Sequence, residues 1–396
     1  MRILVISIFL LSFCNGFSQK VAKPYVVLVS LDGFRWDYPD IFDTPNLDRL
    51  AQNGVKAKSM QPSYPTKTFP NHYSIVTGLY PDHHGIVNNN FYDKEIQKVF
   101  TLKTAVKREA HFYGGNPIWN LAEQQGVKTA CYYWPGSDTG VKSPSIFKIY
   151  DDTVSYESRI NTVIDWLSLS ESERPHLITL YFDQPDKTGH DFGPLSAENK
   201  KTVTEVDAVI GQLMQRLDAL PIGKEINLIV LSDHGMASIS NDKKVAILDY
   251  LQPEWYGYAA VINPIMSLEA KPEYTEAIAN ALKKVPNIKW YPSAKVPKRL
   301  HFGANPRALD FVIEAEEGFS LVYKPDQKVS GGTHGYDNDI QDMQAIFYAK
   351  GPNFKIGKKA KSFRNVSVYP LIAEILGLKT ETIDGDLAEV KAMLRN

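Results

Sequence analysis

The run Tyr25-Val26-Val27-Leu28-Val29-Ser30-Leu31-Asp32-Gly33 decides the fold class. It is an almost unbroken apolar segment, rich in β-branched residues, and it ends on a carboxylate followed by a glycine. A strand that is apolar at successive positions is covered on both faces, which is typical of the parallel sheets of α/β proteins. Two later runs, Leu177–Phe182 and Ile226–Leu231, have the same character and also lead into aspartates.

Segments with helical patterns alternate with these strands. Helices are predicted near residues 46–52, 117–125, 156–169, 197–217 and 368–376, and further strands over 127–134 and 345–349. This alternation predicts an α/β fold whose central, mostly parallel sheet carries helices on both faces. Between about 241 and 328 the rhythm is less regular, which indicates an inserted cap or subdomain within one domain spanning 19–396.

The bulk composition bounds the function. A chain of 396 residues with 43% hydrophobic residues can bury a large core. The formal net charge is −1 and no long basic stretch is present, so nothing points to duplex nucleic acid as a partner. Any affinity for phosphate must therefore come from a local site.

The first 18 residues have the pattern of a secretory signal peptide. A basic start at Arg2 precedes an apolar run from Ile3 to Phe13, which is too short to span a membrane. No later stretch is long and apolar enough to do so. Export to a bacterial periplasm fits the near absence of cysteine, because removal of the leader leaves Cys131 alone. Lipid anchoring at Cys14 is the less favoured reading, and Cys131 is expected to be a buried apolar side chain.

Possible metal ligands follow three of the predicted strands. In an open α/β sheet, ligands gather at the carboxyl ends of the strands. Mixed carboxylate and imidazole donors suit zinc, with manganese or iron as alternatives. Six donors are enough for two ions that share a phosphoryl-transfer site. The candidates are Asp32, Asp186, His190, Asp233, His234 and His334, the last in a glycine-rich loop.

The candidate nucleophile is Thr68, in the segment Tyr64-Pro65-Thr66-Lys67-Thr68-Phe69-Pro70-Asn71-His72. A hydroxyl is a weak nucleophile unless a base or a metal activates it, and no Ser-His-Asp pattern is evident. An apolar helix over Tyr73–Thr77 is predicted to follow and to end at Gly78. A helix-capping role for Thr68 is the alternative, and it is compatible with catalysis.

These segments resemble the nucleotide pyrophosphatase/phosphodiesterase family of the alkaline phosphatase superfamily. The motifs that carry the resemblance are Thr66 to Tyr73, Thr77 to Pro81, His84 to Val87, Trp134 to Ser137, Pro185 to His190, Asp233 to Gly235 and Gly332 to Gly335. They occur in the family's order over about 26–376. The lack of Cys-rich modules resembles the compact bacterial form, with the catalytic domain alone.

The resemblance implies an alkaline-phosphatase-like fold and a mechanism. One zinc ion would be held by Asp186, His190 and His334, and the other by Asp32, Asp233 and His234 with Thr68 beside it. Asn89 would bind a non-bridging phosphate oxygen, helped by a backbone amide at Thr68 or Phe69. Thr68 would attack phosphorus, and hydrolysis of the nucleotidyl-threonine would release a nucleoside 5′-monophosphate with net retention at phosphorus.

The resemblance also implies that nucleotides are the substrates. Phe69 and Tyr150 would sandwich the base, which favours weak base selectivity because stacking tolerates any base. The other residues of the implied nucleotide pocket are Lys107, Trp134 and Asp138. A position in the hydrophobic core is the alternative for Trp134.

Four other functions are possible alternatives to nucleotide hydrolysis. A sulfatase is excluded because threonine at position 68 cannot form the required aldehyde. A phosphomonoesterase is expected to clamp the extra charge with an arginine or a further metal ion, and the nearest arginines, Arg35 and Arg108, have no evident role of this kind. A lipid-headgroup phosphodiesterase is the leading alternative. A non-catalytic binding protein is disfavoured because all six candidate ligands and Thr68 are present. The sequence gives no indication of the oligomeric state.

Overall fold

Eight strands form the central sheet of the computed structural model, which describes residues 24–395. In chain order they are β1 (Tyr25–Leu31), β2 (Val55–Ala57), β3 (Thr129–Tyr132), β4 (Ile146–Lys148), β5 (Leu177–Phe182), β6 (Ile226–Leu231), β7 (Phe347–Lys350) and β8 (Lys358–Ala360). Their order across the sheet is β8-β2-β7-β6-β1-β5-β3-β4. Only β7 pairs antiparallel to its neighbours, so the predicted mostly parallel sheet is confirmed.

Helices cover both faces of this sheet. The helices are α1 (Tyr38–Ile41), α2 (Pro45–Gln52), α3 (Thr68–Thr77), α4 (Pro81–His84), α5 (Ile118–Gln124), α6 (Tyr156–Leu167), α7 (Asp186–Phe192), α8 (Ala197–Asp218), α9 (Thr275–Leu282) and α10 (Val368–Leu376). Alternate side chains of β1 enter two different cores, Val26 and Leu28 on one side and Val27 and Val29 on the other. Helices α3, α5 and α10 contribute to the first core, and α2, α6 and α8 to the second. This two-sided burial explains why β1 is apolar throughout.

The helix after the candidate nucleophile is longer than the sequence pattern suggested. It begins at Thr68 rather than at Tyr73 and ends, as predicted, at Gly78 in the left-handed conformation. Pro70 lies in its first turn, where the missing N–H costs no hydrogen bond within the helix. The predicted helix covered only the apolar stretch Tyr73–Thr77 and left out the first five residues of α3.

The less regular stretch contains a small sheet of its own. Strands Tyr256–Ile262, Ile265–Ala270, Phe311–Ala315 and Ile288–Pro292 lie in this spatial order, and each pairs antiparallel with its neighbour. Together with α9 they enclose a third apolar core. An antiparallel sheet can leave one face to solvent, so its strands lack the continuous apolar runs of the central sheet. The predicted irregularity therefore reflects a change of sheet type.

Two expectations about the rest of the chain have different outcomes. Cys131 is fully buried in β3, where burial raises the pKa of its thiol, so it packs as an apolar side chain. Within residues 24–395, no helix has both the length and the apolar character needed to cross a bilayer. The signal peptide predicted at 1–18 and the lipid attachment considered at Cys14 lie outside the described residues.

Candidate functional site

The three strands that lead into the predicted aspartates are neighbours at the centre of the sheet. β1 lies between β6 and β5, so Asp32, Asp233 and the segment that carries Asp186 emerge side by side. The Gly33 N–H donates to Asp233 Oδ1 at 3.2 Å, and the Asp186 N–H donates to the Asp32 carbonyl at 3.0 Å. Gly33 has φ +67°, and a Cβ there would lie 2.9 Å from the Asp186 Cα. Glycine is therefore required for this close approach.

Three histidines direct the same ring nitrogen, Nε2, toward these carboxylates, because their other ring nitrogen, Nδ1, contacts the backbone. The Nδ1 atoms of His190, His234 and His334 each lie 2.8 Å from a backbone carbonyl oxygen, those of Gly332, Gly235 and Thr66 respectively. A ring that donates from Nδ1 keeps the lone pair on Nε2 for a ligand. The Nε2 atoms of His190 and His334 approach to 3.1 Å. If both rings carry their proton on Nδ1, two lone pairs face each other at this distance, and this arrangement fits two ligands of one bound cation.

The ligand atoms fall into two groups that fit metal ions. Asp32, Asp233 and His234 form one fully buried group, and Asp186, His234 and His334 form another. Each group contains a buried carboxylate oxygen with no hydrogen-bond partner, Asp32 Oδ1 in the first and Asp186 Oδ1 in the second. Buried anionic oxygens without partners are costly unless a cation is present, so the donor set fits metal binding.

His190 joins the second group through two contacts. Its Nε2 lies 3.5 Å from Asp186 Oδ2, in addition to the contact with His334. His234 lies at the junction of the groups, with its Nε2 3.3 Å from Asp32 Oδ1 and 3.1 Å from Asp233 Oδ2. The structure thus brings all six predicted ligands together.

Proximity and burial shift the pKa values of these groups. Burial and the nearby Asp233 and Asp186 carboxylates raise the pKa of Asp32. Burial alone would raise the pKa of Asp233, but the imidazoles of His234 and His72 lower it overall. Burial, with the nearby His234 and Lys67, lowers the pKa of His334 and keeps its ring neutral, as a metal ligand must be.

Thr68 is the first residue of α3, and its hydroxyl lies at the ligand cluster. The N-cap position belongs to Lys67, so Thr68 does not have the capping role considered from the sequence. Its Oγ1 lies 3.3 Å from His234 Nε2. The preceding residues hold this segment to the loop of His334, because the Lys67 Nζ donates to the His334 carbonyl at 2.5 Å. The candidate nucleophile and the candidate ligands therefore form one cluster.

Asn89 lies beside the nucleophile but engages the backbone differently from the expectation. The Phe69 N–H donates to Asn89 Oδ1 at 2.9 Å. The Phe69 amide is therefore already occupied and is not a free phosphate donor. This bond instead orients the Asn89 side chain, whose NH₂ group remains for another acceptor.

A cavity of about 360 Å³ opens beside Thr68. Every residue predicted for the nucleotide pocket lines it, namely Phe69, Asn89, Lys107, Trp134, Asp138 and Tyr150. Tyr150 is 40% exposed, and the Lys107 Nζ lies 5.8 Å from its ring centroid. Trp134 is only 1% exposed and donates from Nε1 to the His72 carbonyl, so it belongs to the core as well as to the cavity wall.

Tyr181 and Tyr133 are two aromatic residues of this site that were not predicted from the sequence. Tyr181 lines the cavity, and its hydroxyl donates to Asp32 Oδ2 at 2.5 Å. A tyrosine near the carboxyl end of β5 was the available signal. Tyr133 also lines the cavity, where it has the unusual φ of +68°.

His72, four residues after Thr68, also lies at the ligand cluster. It is fully buried and lies between Ser30 Oγ at 2.9 Å and Asp233 Oδ2 at 3.2 Å. His72 therefore helps to hold a carboxylate of the candidate metal site.

Comparison with known proteins gives consistent matches. A profile of the family described as Type I phosphodiesterase / nucleotide pyrophosphatase matches residues 26–337. Venom phosphodiesterase of Naja atra is 39% identical, over 96% of this chain and 47% of the relative. Ectonucleotide pyrophosphatase/phosphodiesterase family member 1 of Mus musculus is 40% identical, over 94% of this chain and 43% of the relative. The chain therefore spans about half the length of these curated relatives.

The structural similarity is also close. An inactive variant of murine ectonucleotide pyrophosphatase / phosphodiesterase 5, solved in complex with AMP, superposes with a TM-score of 0.90 at 31% sequence identity. The match covers 94% of this chain and 100% of that chain. The human protein of the same name gives the same TM-score at 32% identity.

Proposed function

Because the chain belongs to the type I phosphodiesterase/nucleotide pyrophosphatase family, we propose that it hydrolyses nucleotide phosphodiester or pyrophosphate bonds and releases nucleoside 5′-monophosphates. The observation that carries the proposal is the position of Thr68, whose hydroxyl lies at two groups of metal-ligand type and beside an aromatic-lined cavity. Relatives named phosphodiesterase or nucleotide pyrophosphatase support the reaction class. The murine relative solved with AMP supports a nucleotide ligand.

Two zinc ions are the proposed cofactors. Asp186, His190 and His334 would hold one ion, and Asp32, Asp233 and His234 the other, with Thr68 beside it. Carboxylate and imidazole donors are ordinary zinc ligands. When bound, the pair supplies Lewis acidity at the Thr68 hydroxyl and at the phosphoryl oxygens.

The reaction proceeds through a covalent bond to Thr68. The Thr68 oxygen attacks phosphorus and loses its proton to solvent, while the bond to the leaving group breaks and that group takes up a proton. Water then attacks phosphorus, which breaks the bond to Thr68, restores its hydroxyl and releases the nucleoside 5′-monophosphate. Each displacement inverts phosphorus, so the net result is retention.

Neighbouring residues position the substrate for this attack. The Phe69 N–H fixes the Asn89 carbonyl oxygen, and the Asn89 NH₂ group donates to a non-bridging phosphate oxygen. Phe69 and Tyr150 stack on the base, since both line the cavity. Lys107, Trp134 and Asp138 complete this pocket.

The lining of the cavity favours diesters over monoesters. Among the described residues, no arginine lines it. A phosphomonoesterase must neutralise an additional charge on its substrate, for which a bidentate arginine is the usual protein group. A lipid-headgroup diester is the alternative substrate, since aromatic side chains can also bind a quaternary ammonium group. The murine relative solved with AMP favours the nucleotide.

The test compares the p-nitrophenyl ester of thymidine 5′-monophosphate with plain p-nitrophenyl phosphate, with and without a zinc chelator. We expect a strong preference for the nucleotide diester and loss of turnover with the chelator, restored by added zinc. Preference for the monoester would contradict the substrate proposal. Full activity after chelation would contradict the metal proposal. Preference for a choline-headgroup diester over the nucleotide would identify a lipid enzyme.

The proposal includes export from the cell. The relatives named as venom and ecto-enzymes act outside cells by name, which supports the signal peptide predicted at 1–18. A bacterial origin and a periplasmic location stay predictions. Cell fractionation of a tagged chain tests export and the periplasmic location, and an uncleaved chain in the cytoplasm would contradict export.

A further inference from the structure

A buried arginine lies directly behind the aromatic side of the cavity. Arg159, on α6, is 1% exposed. Its guanidinium donates to the backbone carbonyl oxygens of Tyr181, at 3.0 Å, and Val154, at 3.2 Å. It also pairs with Asp183 Oδ1 at 3.2 Å. These acceptors belong to the end of β5 and to the loop that follows Tyr150, the two segments that present Tyr181 and Tyr150 to the cavity.

The same guanidinium packs on aromatic rings. Its carbon lies 5.0 Å from the ring centroid of Tyr133 and 4.9 Å from that of Tyr156. The Tyr133 ring then meets the Tyr150 ring at 5.2 Å, and Tyr150 meets Tyr181 at 6.2 Å. Tyr133, Tyr150 and Tyr181 all line the cavity and are hereafter the tyrosine wall.

Arg159 itself does not line the cavity. A buried charge is expensive unless it is paired and hydrogen-bonded, and here two backbone oxygens, one carboxylate and several rings surround it. Tyr133 also holds a left-handed backbone conformation, which is uncommon for an aromatic residue and needs support from its surroundings. The arginine is therefore placed to hold the wall from behind.

We propose that Arg159 is a positioning residue for nucleotide recognition, fixing the tyrosine wall on which the nucleoside part of the substrate packs. This inference rests on the proposed function. The Tyr181 backbone is also held by the pairing of β5 with β1, whereas Tyr133 and the loop after Tyr150 lie outside the paired strands. Loss of Arg159 therefore loosens the nucleoside pocket while the metal-ligand cluster and Thr68 keep their places.

The test compares Arg159→Lys and Arg159→Met with the wild type on two diesters. One is the p-nitrophenyl ester of thymidine 5′-monophosphate, and the other is bis(p-nitrophenyl) phosphate, which has no nucleoside. For the nucleotide ester we expect KM to rise about tenfold in Arg159→Met, and less in Arg159→Lys, which keeps the charge but loses the planar group. Turnover of bis(p-nitrophenyl) phosphate should change less than about twofold. The Kd for AMP, measured by calorimetry, should rise in parallel with KM.

Arg174→Met is the matched control. Arg174 also packs on a ring, with its guanidinium carbon 5.6 Å from the Tyr25 centroid, but it contacts none of the tyrosine wall. Arg174→Met should leave KM and turnover unchanged for both substrates. An equal loss on both diesters, or an unchanged KM and Kd in the Arg159 variants, would overturn the inference. If Arg159→Met does not fold, the same comparison is made with Arg159→Lys: the rise in KM for the nucleotide ester against the change in turnover of bis(p-nitrophenyl) phosphate. If the wild type cleaves neither diester, the proposed function fails, and AMP binding still tests the wall.

Discussion

At the scale of single residues, Thr68 has the most specific role. Its hydroxyl is not used for capping and lies at the ligand cluster. Thr68→Ala should lower kcat by about 10⁴-fold or more, because the covalent step is lost, while both metals stay bound. Thr77→Ala, at the other end of α3, is the control and should keep nearly full turnover. Metal analysis and steady-state kinetics measure both effects, and normal turnover by Thr68→Ala would exclude a covalent threonine.

Asn89 allows its two hydrogen-bonding roles to be separated. Its carbonyl oxygen accepts from the Phe69 N–H, and its NH₂ group is assigned to the phosphate. Asn89→Asp keeps the acceptor but replaces the donor with a negative charge, so kcat/KM should fall by about 10²- to 10³-fold. The Kd for free nucleoside, which lacks phosphate, should not change. Equal loss of nucleoside and nucleotide binding would assign Asn89 to the base pocket instead.

At the scale of elements, the loop before His334 controls the position of His190. Gly331 has φ +76°, and a Cβ there would lie 2.0 Å from the His190 carbonyl oxygen. Gly331→Ala should therefore displace α7 and weaken metal binding at Asp186, His190 and His334, with a parallel loss of kcat.

The control for this variant separates backbone strain from the clash. Gly140 has a similar φ of +78°, but a Cβ there meets nothing within 4 Å. Gly140→Ala should lower stability by about 1 kcal/mol and leave metal content unchanged. Zinc titration of both variants measures the difference. Equal metal affinity in the two would show that the Gly331 contact does not position His190.

At the scale of the whole molecule, a buried carboxyl connects the four-stranded antiparallel sheet to the loop that follows His334. Glu314, on the strand Phe311–Ala315, accepts from the Asp337 N–H at 2.8 Å, and burial raises its pKa from 4.5 to about 7. A carboxyl with a raised folded-state pKa stabilises the fold fully below pH 4.5, and this contribution is lost as pH rises to about 7.

Glu314→Gln removes this titration. The free energy of unfolding of the wild type, relative to Glu314→Gln, should fall by about 3 kcal/mol between pH 4.5 and pH 7 and stay level above that. Urea unfolding at several pH values measures the difference. A pH-independent difference would mean that Glu314 titrates normally in the folded protein.

Features that depend on residues close together in the chain were predictable from the sequence, and features that depend on distant residues were not. The strand ends at Asp32 and Asp233 were evident because local apolar runs mark buried strands. The adjacency of β5, β1 and β6 was not, since strand order depends on long-range pairing. The start of α3 was misplaced because the prediction followed only the apolar stretch Tyr73–Thr77, whereas the helix begins at Thr68. Arg159 and Tyr181 were not assigned, because the contacts that tie them to the site, to Tyr133 and to Asp32 respectively, join residues far apart in the chain.

The stereochemical course of hydrolysis shows whether Thr68 forms a covalent bond to phosphorus. The substrate is a chiral phosphorothioate analogue of the p-nitrophenyl ester of thymidine 5′-monophosphate, cleaved in isotopically labelled water. Two displacements through Thr68 predict net retention of configuration at phosphorus. Net inversion would mean that water attacks the substrate directly and that no covalent bond to Thr68 forms.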